Sequence, residues 1–235
     1  MDNLIQLTRD MSTIYVEKGV TYLEDIESCP HFLKFKEALD KFSLEDLNIA
    51  YDKEFLYNPN EPLRYMKVLF EQYIGIGVFF LAKGKGFPIH DHPGLMVASK
   101  VLDGKISCHS YNPVDFDKRQ RQLNILLEKK EGDAECAKEL EEGILAEDLG
   151  EEVILTGQTE IVTPKERNMH CMEATEDCCM LDIYIPNSSY RHFYSVVEEG
   201  QGEDKDLVRV KIQLTLPALS LRLLKYEDYH QSKQE

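Results

Sequence analysis

The chain of 235 residues has 27 lysine and arginine residues against 43 aspartate and glutamate residues, which gives a net charge of −16. Because so acidic a chain is repelled by phosphate, we expect neither groove-tracking nucleic-acid binding nor polybasic membrane docking. Hydrophobic residues make up 43% of the chain, which is enough for a folded core and excludes wholesale disorder.

Residues 1–60 are predicted to form a helical region that packs on a following β domain. Two groups of apolar residues recur there at steps of three and four, the spacing that places side chains on one helix face. They are Leu4, Leu7, Met11 and Ile14, and then Phe32, Phe35, Leu39 and Phe42. Ser43 followed by Asp46 resembles a helix start of the capping-box kind.

Residues 61–224 are predicted to form a β barrel. Short apolar runs, rich in β-branched and aromatic residues and separated by glycine, proline or asparagine, are typical of strands. The runs lie at residues 73–82, 95–102, 105–111, 153–156, 159–162, 179–185 and 208–216. Many short strands with turns between them predict an antiparallel sandwich or barrel. The last residues, 225–235, are predicted to be a polar, frayed tail.

An acidic segment at residues 128–152 interrupts the strand pattern. It contains eleven acidic residues and three lysines, so it carries −8, half of the net charge. Its apolar residues, Leu140, Ile144, Leu145 and Leu149, are compatible with a short helix. We interpret the segment as a solvated insertion between strands; the alternative is an interaction surface that steers basic peptides.

No run of apolar residues reaches the roughly 20 that a membrane-spanning helix needs. The start of the chain lacks a basic region followed by an apolar stretch, so no secretory signal is expected. The six cysteines form no CxxC pair, which predicts reduced thiols in a protein of the cytoplasm or nucleus.

His90 and His92 form a His-x-His pair, the first candidate for a metal site. On a strand, side chains two residues apart point to the same face, so both imidazoles can reach one ion. Gly84 stands six residues before His90, and Gly104 stands twelve residues after His92. This pattern is similar to the first motif of the cupins, a jelly-roll superfamily. The glutamate usual in that motif is replaced by Val97, which cannot bind a metal.

A third ligand must come from elsewhere, and His170 is the candidate. It lies six residues after Pro164, in a stretch that resembles a degenerate second cupin motif. The other histidines, His31, His109, His192 and His230, are poorer candidates. Imidazole alone does not select among zinc, iron, copper and nickel. Three neutral imidazoles leave the charge of a divalent ion uncompensated, which favours an anionic ligand such as a thiolate.

Several stretches together resemble a known family, the thiol dioxygenases of the cysteamine dioxygenase and plant cysteine oxidase group. They are PIHDHPGLMVASKVLDGKISCHSYN, RNMHCMEA, MLDIYIP and RHFYSV. The resemblance covers about residues 30–217. It implies a cupin barrel, a double-stranded β-helix of jelly-roll type, in which Fe(II) is held by His90, His92 and His170.

The resemblance also implies an activity. The substrates would be O2 and a thiol, either cysteamine or the N-terminal cysteine of a peptide or protein. The product would be a sulfinic acid. Oxygen sensing would follow if the substrate is a protein N-terminus. The alternatives are a metal-binding cupin without oxygenase activity and another metal-dependent cupin enzyme. Related enzymes are usually monomers, so we expect a monomer.

Asp182 matches an aspartate that this family places near the iron. Its carboxylate would hold the substrate ammonium or orient a bound oxygen species; the alternative is a structural aspartate. Tyr184, Tyr190, His192 and Tyr194 are predicted to line the substrate pocket. The family's Pro-Pro-Tyr is replaced here, since Ser188 stands where the tyrosine would be, with Tyr190 nearby. A cysteine that the family has before the histidine is Arg191 here, so no Cys–Tyr crosslink is expected.

Overall fold

Two six-stranded β-sheets form the body of the protein in the computed structural model, which describes residues 1–188, 190–200, 206–215, 217 and 219–229. The strands are β1 (Leu63–Phe70), β2 (Gly75–Leu81), β3 (Gly86–Asp91), β4 (Met96–Asp103), β5 (Lys105–Pro113), β6 (Ile144–Leu155), β7 (Thr159–Val162), β8 (Met169–Ala174), β9 (Cys178–Ile185), β10 (Tyr194–Glu199), β11 (Leu207–Ile212) and β12 (Leu221–Lys225). The α-helices are α1 (Asp2–Lys18), α2 (Pro30–Lys41), α3 (Lys53–Leu56), α4 (Phe116–Leu127), α5 (Ala134–Glu142) and α6 (Tyr226–Tyr229).

The strand order identifies the fold as a jelly roll. One sheet has the order β12-β1-β2-β9-β4-β7, and the other has the order β10-β11-β6-β5-β8-β3. Strands far apart in the chain, such as β2 and β9 or β3 and β8, are therefore neighbours. Val101 and Met180 of the first sheet share a buried cluster with Ile106 and Met172 of the second. The sheets thus enclose a common interior, which confirms the predicted cupin-type double-stranded β-helix.

The N-terminal helices cover the outer face of the first sheet. Apolar residues of α1 and α2, among them Met11 and Phe35, pack in one cluster with residues of the sheet such as Ile76 and Ile183. Strand β9 is consequently buried on both faces. Its odd-numbered residues face the helices, so its even-numbered residues face the interior of the barrel.

Gly104, a turn glycine of the first motif, lies in the hairpin between β4 and β5, where a side chain would clash with the neighbouring backbone. Gly104 has φ of +82°, in the left-handed region that favours glycine. A Cβ atom there would lie 1.9 Å from the carbonyl oxygen of Asp177. No other residue fits this turn without moving the backbone of the neighbouring segment.

The acidic segment contains more regular structure than the sequence indicates. Leu140 lies in helix α5, but Ile144, Leu145 and Leu149 lie in strand β6, so the helix predicted for these three was wrong. Strand β6 pairs with β5 and β11. Ile144 and Ala146 are buried, while acidic residues of the same strand are exposed or half-buried. What interrupts the strands is the pair of helices α4 and α5.

The end of the chain also departs from the prediction. Strand β11 ends at Ile212, so residues 213–215 of the predicted strand lie beyond it, and Leu216 lies outside the described residues. Part of the predicted tail is packed rather than frayed, because Tyr229 stacks on Phe55 and its carbonyl oxygen accepts a hydrogen bond from the Ala50 amide. His230 and 231–235 lie outside the described residues. In the described part of the chain, no helix combines the length and apolar character needed to cross a bilayer.

Candidate metal centre and substrate cavity

Three histidines converge inside the barrel. His90 lies on β3, His92 follows the end of that strand, and His170 lies on β8. Strands β3 and β8 are antiparallel, and His90 is directly opposite His170. Residues opposite each other in an antiparallel pair share a face, so the pairing brings the third histidine to the other two. One nitrogen of each ring lies within 4.8 Å of a nitrogen of the others.

The ring orientations fit a metal ion. Nδ1 of His90 lies 2.9 Å from the carbonyl oxygen of Pro88, so it is the protonated nitrogen and Nε2 keeps its lone pair. Nε2 of His92 lies 3.1 Å from Nε2 of His170. Two nitrogens bonded to one ion at about 2.1 Å and at a right angle would lie about 3 Å apart. The three residues could therefore hold a divalent ion on one side and leave its other side accessible.

Burial keeps all three imidazoles in the neutral form that binds metals. It lowers the pKa of His90 to about 4, against an opposing hydrogen bond with Pro88. It also lowers the pKa values of His92 and His170 well below their ordinary value. Since a protonated ring has no lone pair on nitrogen, this environment favours a bound cation over bound protons.

No carboxylate joins the three histidines in the described structure. Val97 is buried on β4 and packs with Leu95, Val162 and Tyr184. His109 is engaged elsewhere, with Nε2 2.5 Å from Oδ1 of Asp148. The donor set is thus three neutral nitrogens, and the whole positive charge of a divalent ion would remain available to an anionic ligand.

A cavity of about 540 Å³ contains the three histidines. Its walls include Asp182, Tyr184 and Tyr190, as the sequence predicts. Most of the remaining lining is apolar and was not identified from the sequence: Tyr65, Phe70, Phe79, Phe87, Met172, Met180, Phe193, Leu219 and Leu221. Phe79 and Met180 could have been identified from the alternation of side chains between the two faces of a strand, since both lie on the face towards the interior.

Asp182 is the carboxylate of this cavity. Its side chain is buried, and the hydroxyl of Tyr184 donates a 2.9 Å hydrogen bond to Oδ2. Burial raises the pKa of Asp182 to about 6, against the opposing effect of hydrogen bonds from Ser99 and Tyr184. A carboxyl group in this state can exchange a proton near neutral pH or accept a hydrogen bond from a cationic ligand.

Arg191 places a positive charge in the cavity wall. Its Nη1 donates to the carbonyl oxygens of Ser188, at 3.1 Å, and Tyr190, at 2.7 Å. The guanidinium lies 5.2 Å from the centre of the Tyr184 ring. Its charge helps to lower the pKa values of His92 and His170. Ser188 also lines the cavity, at the position where the resembling family has a tyrosine.

Two predicted pocket residues do not line the cavity. Tyr194 donates a 2.7 Å hydrogen bond to Oδ2 of Asp91, and Nδ1 of His192 lies 3.2 Å from Oδ1 of the same residue. The reason is strand alternation, since Phe193 bridges to His90 and borders the cavity, which turns its neighbours away. The prediction was therefore wrong for His192 and Tyr194.

Comparisons with known proteins find relatives of this chain. The profile of the PCO_ADO family matches residues 38–207. Human 2-aminoethanethiol dioxygenase is 31% identical over 182 residues, which are 70% of this chain and 65% of the human protein. Plant cysteine oxidase 1 of Arabidopsis thaliana is 28% identical over 171 residues, 68% of this chain and 52% of the plant protein. This chain thus spans somewhat less than two thirds of the length of the human relative.

Among solved structures, a double-stranded β-helix protein from Klebsiella pneumoniae is 12% identical, with a TM-score of 0.36 over 60% of this chain and 88% of that chain. The family match includes all three histidines and Asp182, since it runs from residue 38 to residue 207. This chain therefore belongs to the PCO_ADO family, as its sequence motifs predict.

Proposed function

We propose that the protein is an Fe(II)-dependent thiol dioxygenase that converts a thiol into a sulfinic acid. The observation that carries the proposal is the convergence of His90, His92 and His170 in a cavity that also holds Asp182. The names of the relatives, a 2-aminoethanethiol dioxygenase and a plant cysteine oxidase, support the same reaction.

The histidines fit the metal that this reaction needs. An Fe(II) ion held by the three imidazoles would supply the one-electron chemistry with which dioxygen reacts. In the overall reaction, RSH and O2 give RSO2H, and both oxygen atoms form bonds to sulfur. The sulfur supplies the electrons, so no external reductant is needed. Because the three ligands are neutral, the site attracts the thiol as its anion.

The side chains around the histidines bind and orient the substrate. Asp182, when ionised, accepts hydrogen bonds from the ammonium group that lies two carbons from the thiol in a 2-aminoethanethiol unit. Tyr184 holds the carboxyl group in place through its 2.9 Å hydrogen bond. The aromatic and methionine side chains of the cavity exclude water, which lowers the local dielectric and strengthens this charge interaction.

The size of the cavity favours the N-terminal cysteine of a peptide or protein over free cysteamine. A volume of about 540 Å³ suits a ligand of several residues or a drug-sized molecule, and cysteamine would fill a small part of it. If the substrate is the N-terminus of a protein, its oxidation would make the state of that protein depend on oxygen supply, so we extend the proposal to oxygen sensing.

Oxygen consumption with two kinds of thiol tests the proposal. The protein is loaded with Fe(II) without oxygen and mixed with aerobic cysteamine or with a peptide that begins with cysteine. We expect equimolar oxygen uptake and a product with two added oxygen atoms by mass spectrometry. A peptide that begins with serine is the control. Iron-loaded protein that oxidises neither thiol would instead be a metal-binding cupin without oxygenase activity.

A further inference from the structure

A buried arginine that does not line the cavity contacts the chain segments that carry the three histidines. Arg119 belongs to helix α4, and its side chain is 2% exposed. The same nitrogen, Nη2, donates to Oδ2 of Asp91 at 2.9 Å and to Oδ1 of Asn168 at 2.5 Å. Burial of a guanidinium costs free energy, and the two contacts of Nη2 offset this cost only in part, since Nε has no hydrogen-bond partner among the described residues.

Asp91 connects this arginine to the strand that carries two of the histidines. It stands between His90 and His92, and strand alternation turns its side chain away from theirs. Besides Arg119, its carboxylate accepts hydrogen bonds from the His192 amide at 2.7 Å and from the Tyr194 hydroxyl at 2.7 Å. The same contacts therefore tie β3 to the segment that leads into β10.

Asn168 connects the arginine to the third histidine. It stands two residues before His170 and is fully buried. Its Nδ2 donates to the carbonyl oxygen of His92 at 2.9 Å and to that of Thr163 at 2.9 Å. Its Oδ1 accepts from the His92 amide at 3.3 Å. The backbone of His92 is thus fixed by the residue that leads into β8.

One guanidinium nitrogen consequently joins the two chain segments that supply all three imidazoles. We propose that Arg119 is a positioning residue for the metal centre: from helix α4 it sets the separation of the His90–His92 segment from His170 through Asp91 and Asn168. The inference rests on the three-histidine metal site of the proposed function. It assigns helix α4, which contributes no residue to the cavity, a role in the geometry of that site.

Stability alone does not account for this arrangement. Replacement of a buried ion pair by apolar residues of similar volume is often neutral or stabilising, so a fold has little reason to keep one for stability. Partners that hold metal ligands from behind typically change metal affinity by about 10- to 100-fold when they are lost. Removal of one partner of a buried ion pair also destabilises the fold. A positioning role thus predicts weaker metal binding even in a variant that remains folded under the conditions of the titration.

Cobalt binding by the full chain tests this role without reference to turnover. Co(II) alone is titrated into metal-free wild-type protein and into R119M, R119K and R121M, and the visible absorption of the bound ion is recorded. Arg121 lies on the same helix but is exposed and pairs with Glu139, so R121M is the matched control. Thermal unfolding of each metal-free variant records its effect on the fold.

We expect R119M to weaken Co(II) binding by at least about tenfold and to alter the absorption spectrum. R119K keeps the charge and a donor nitrogen, but its side chain is shorter, so a partial recovery is expected; R121M should stay within about twofold of wild type. Wild-type affinity and spectrum in R119M would overturn the proposal, and if R119M does not fold, the same result in R119K would do so. A wild-type protein that binds no Co(II) would overturn the metal site itself, which is a distinguishable result.

Discussion

The Nε2 atoms of His92 and His170 lie 3.1 Å apart, although 78 positions of chain separate the two residues. Neither ring's Nδ1 has a hydrogen-bond partner among the described residues. Both residues line the cavity that also contains Asp182. Two neutral rings in such contact share at most one proton between them, whereas a cation between them satisfies both lone pairs.

Replacement of His170 by alanine should abolish iron retention. Two imidazoles remain in H170A, and loss of one of three ligands from a site without a carboxylate removes a third of the donor set. Iron content after gel filtration, measured by elemental analysis, should fall at least about tenfold. H109A is the matched control, since His109 lies on the neighbouring strand and pairs with Asp148. Iron and activity that persist in H170A would show that the third ligand is another residue.

Asp182 should affect turnover more than iron content. In D182N the side chain keeps its shape and loses the charge that attracts the substrate ammonium, so we expect kcat/KM for cysteamine to fall by at least about tenfold. Iron content should remain within about twofold of wild type. D103N is the control, because Asp103 is a carboxylate of the same sheet that pairs with Lys53 outside the cavity. An unchanged rate in D182N would leave this residue with a structural role alone.

The metal-free protein should lose stability as Asp182 ionises. Burial raises the pKa of this carboxyl from 3.8 to about 6, so the folded state binds the proton more tightly than the unfolded state does. The stabilisation is therefore present below about pH 4 and is lost as the pH rises to about 6, a change of about 3 kcal/mol. Urea unfolding gives the free energies of unfolding of wild type and D182N at about pH 4 and at about pH 7. The difference between the two proteins should change by this amount from one pH to the other. Parallel pH profiles of the two proteins would contradict the raised pKa.

Two of the candidate metal ligands could be predicted from the sequence by a short-range rule, whereas His170 was found through its resemblance to the second cupin motif. His90 and His92 are two apart beside a strand, and period-two alternation places them on one face. The same alternation on β9 separates Asp182 from Ile183, which the structure bears out in their burial on opposite sides. This alternation can be predicted because it follows from the extended backbone of a strand alone.

The parts that escaped prediction depend on contacts between distant segments. Tyr65 and Phe79 stack 4.4 Å apart in the cavity wall, on strands whose register no single sequence reveals. The first part of strand β6, residues 144–152, was hidden because its acidic residues are exposed or half-buried, like those of a solvated loop, and only Ile144 and Ala146 are buried in it. Tyr194 points away from the cavity because its neighbour Phe193 faces the cavity and successive side chains alternate. The sequence does not determine which of the two residues faces inwards.

Replacement of glycine by alanine should destabilise the protein more at Gly104 than at Gly157 or Gly132. In G104A the new Cβ would lie 1.9 Å from the carbonyl oxygen of Asp177, and φ is +82°, so clash and backbone strain add. Gly157 has φ of +88° with no atom within 4 Å of the added carbon, so G157A isolates the strain, about 1 kcal/mol. Gly132 has neither feature, so G132A should be close to neutral. Urea unfolding should rank the variants in that order, with G104A destabilised by more than about 2 kcal/mol. Equal losses in G104A and G157A would mean that the segment around Asp177 moves aside, and the hairpin between β4 and β5 would then tolerate other residues at this position.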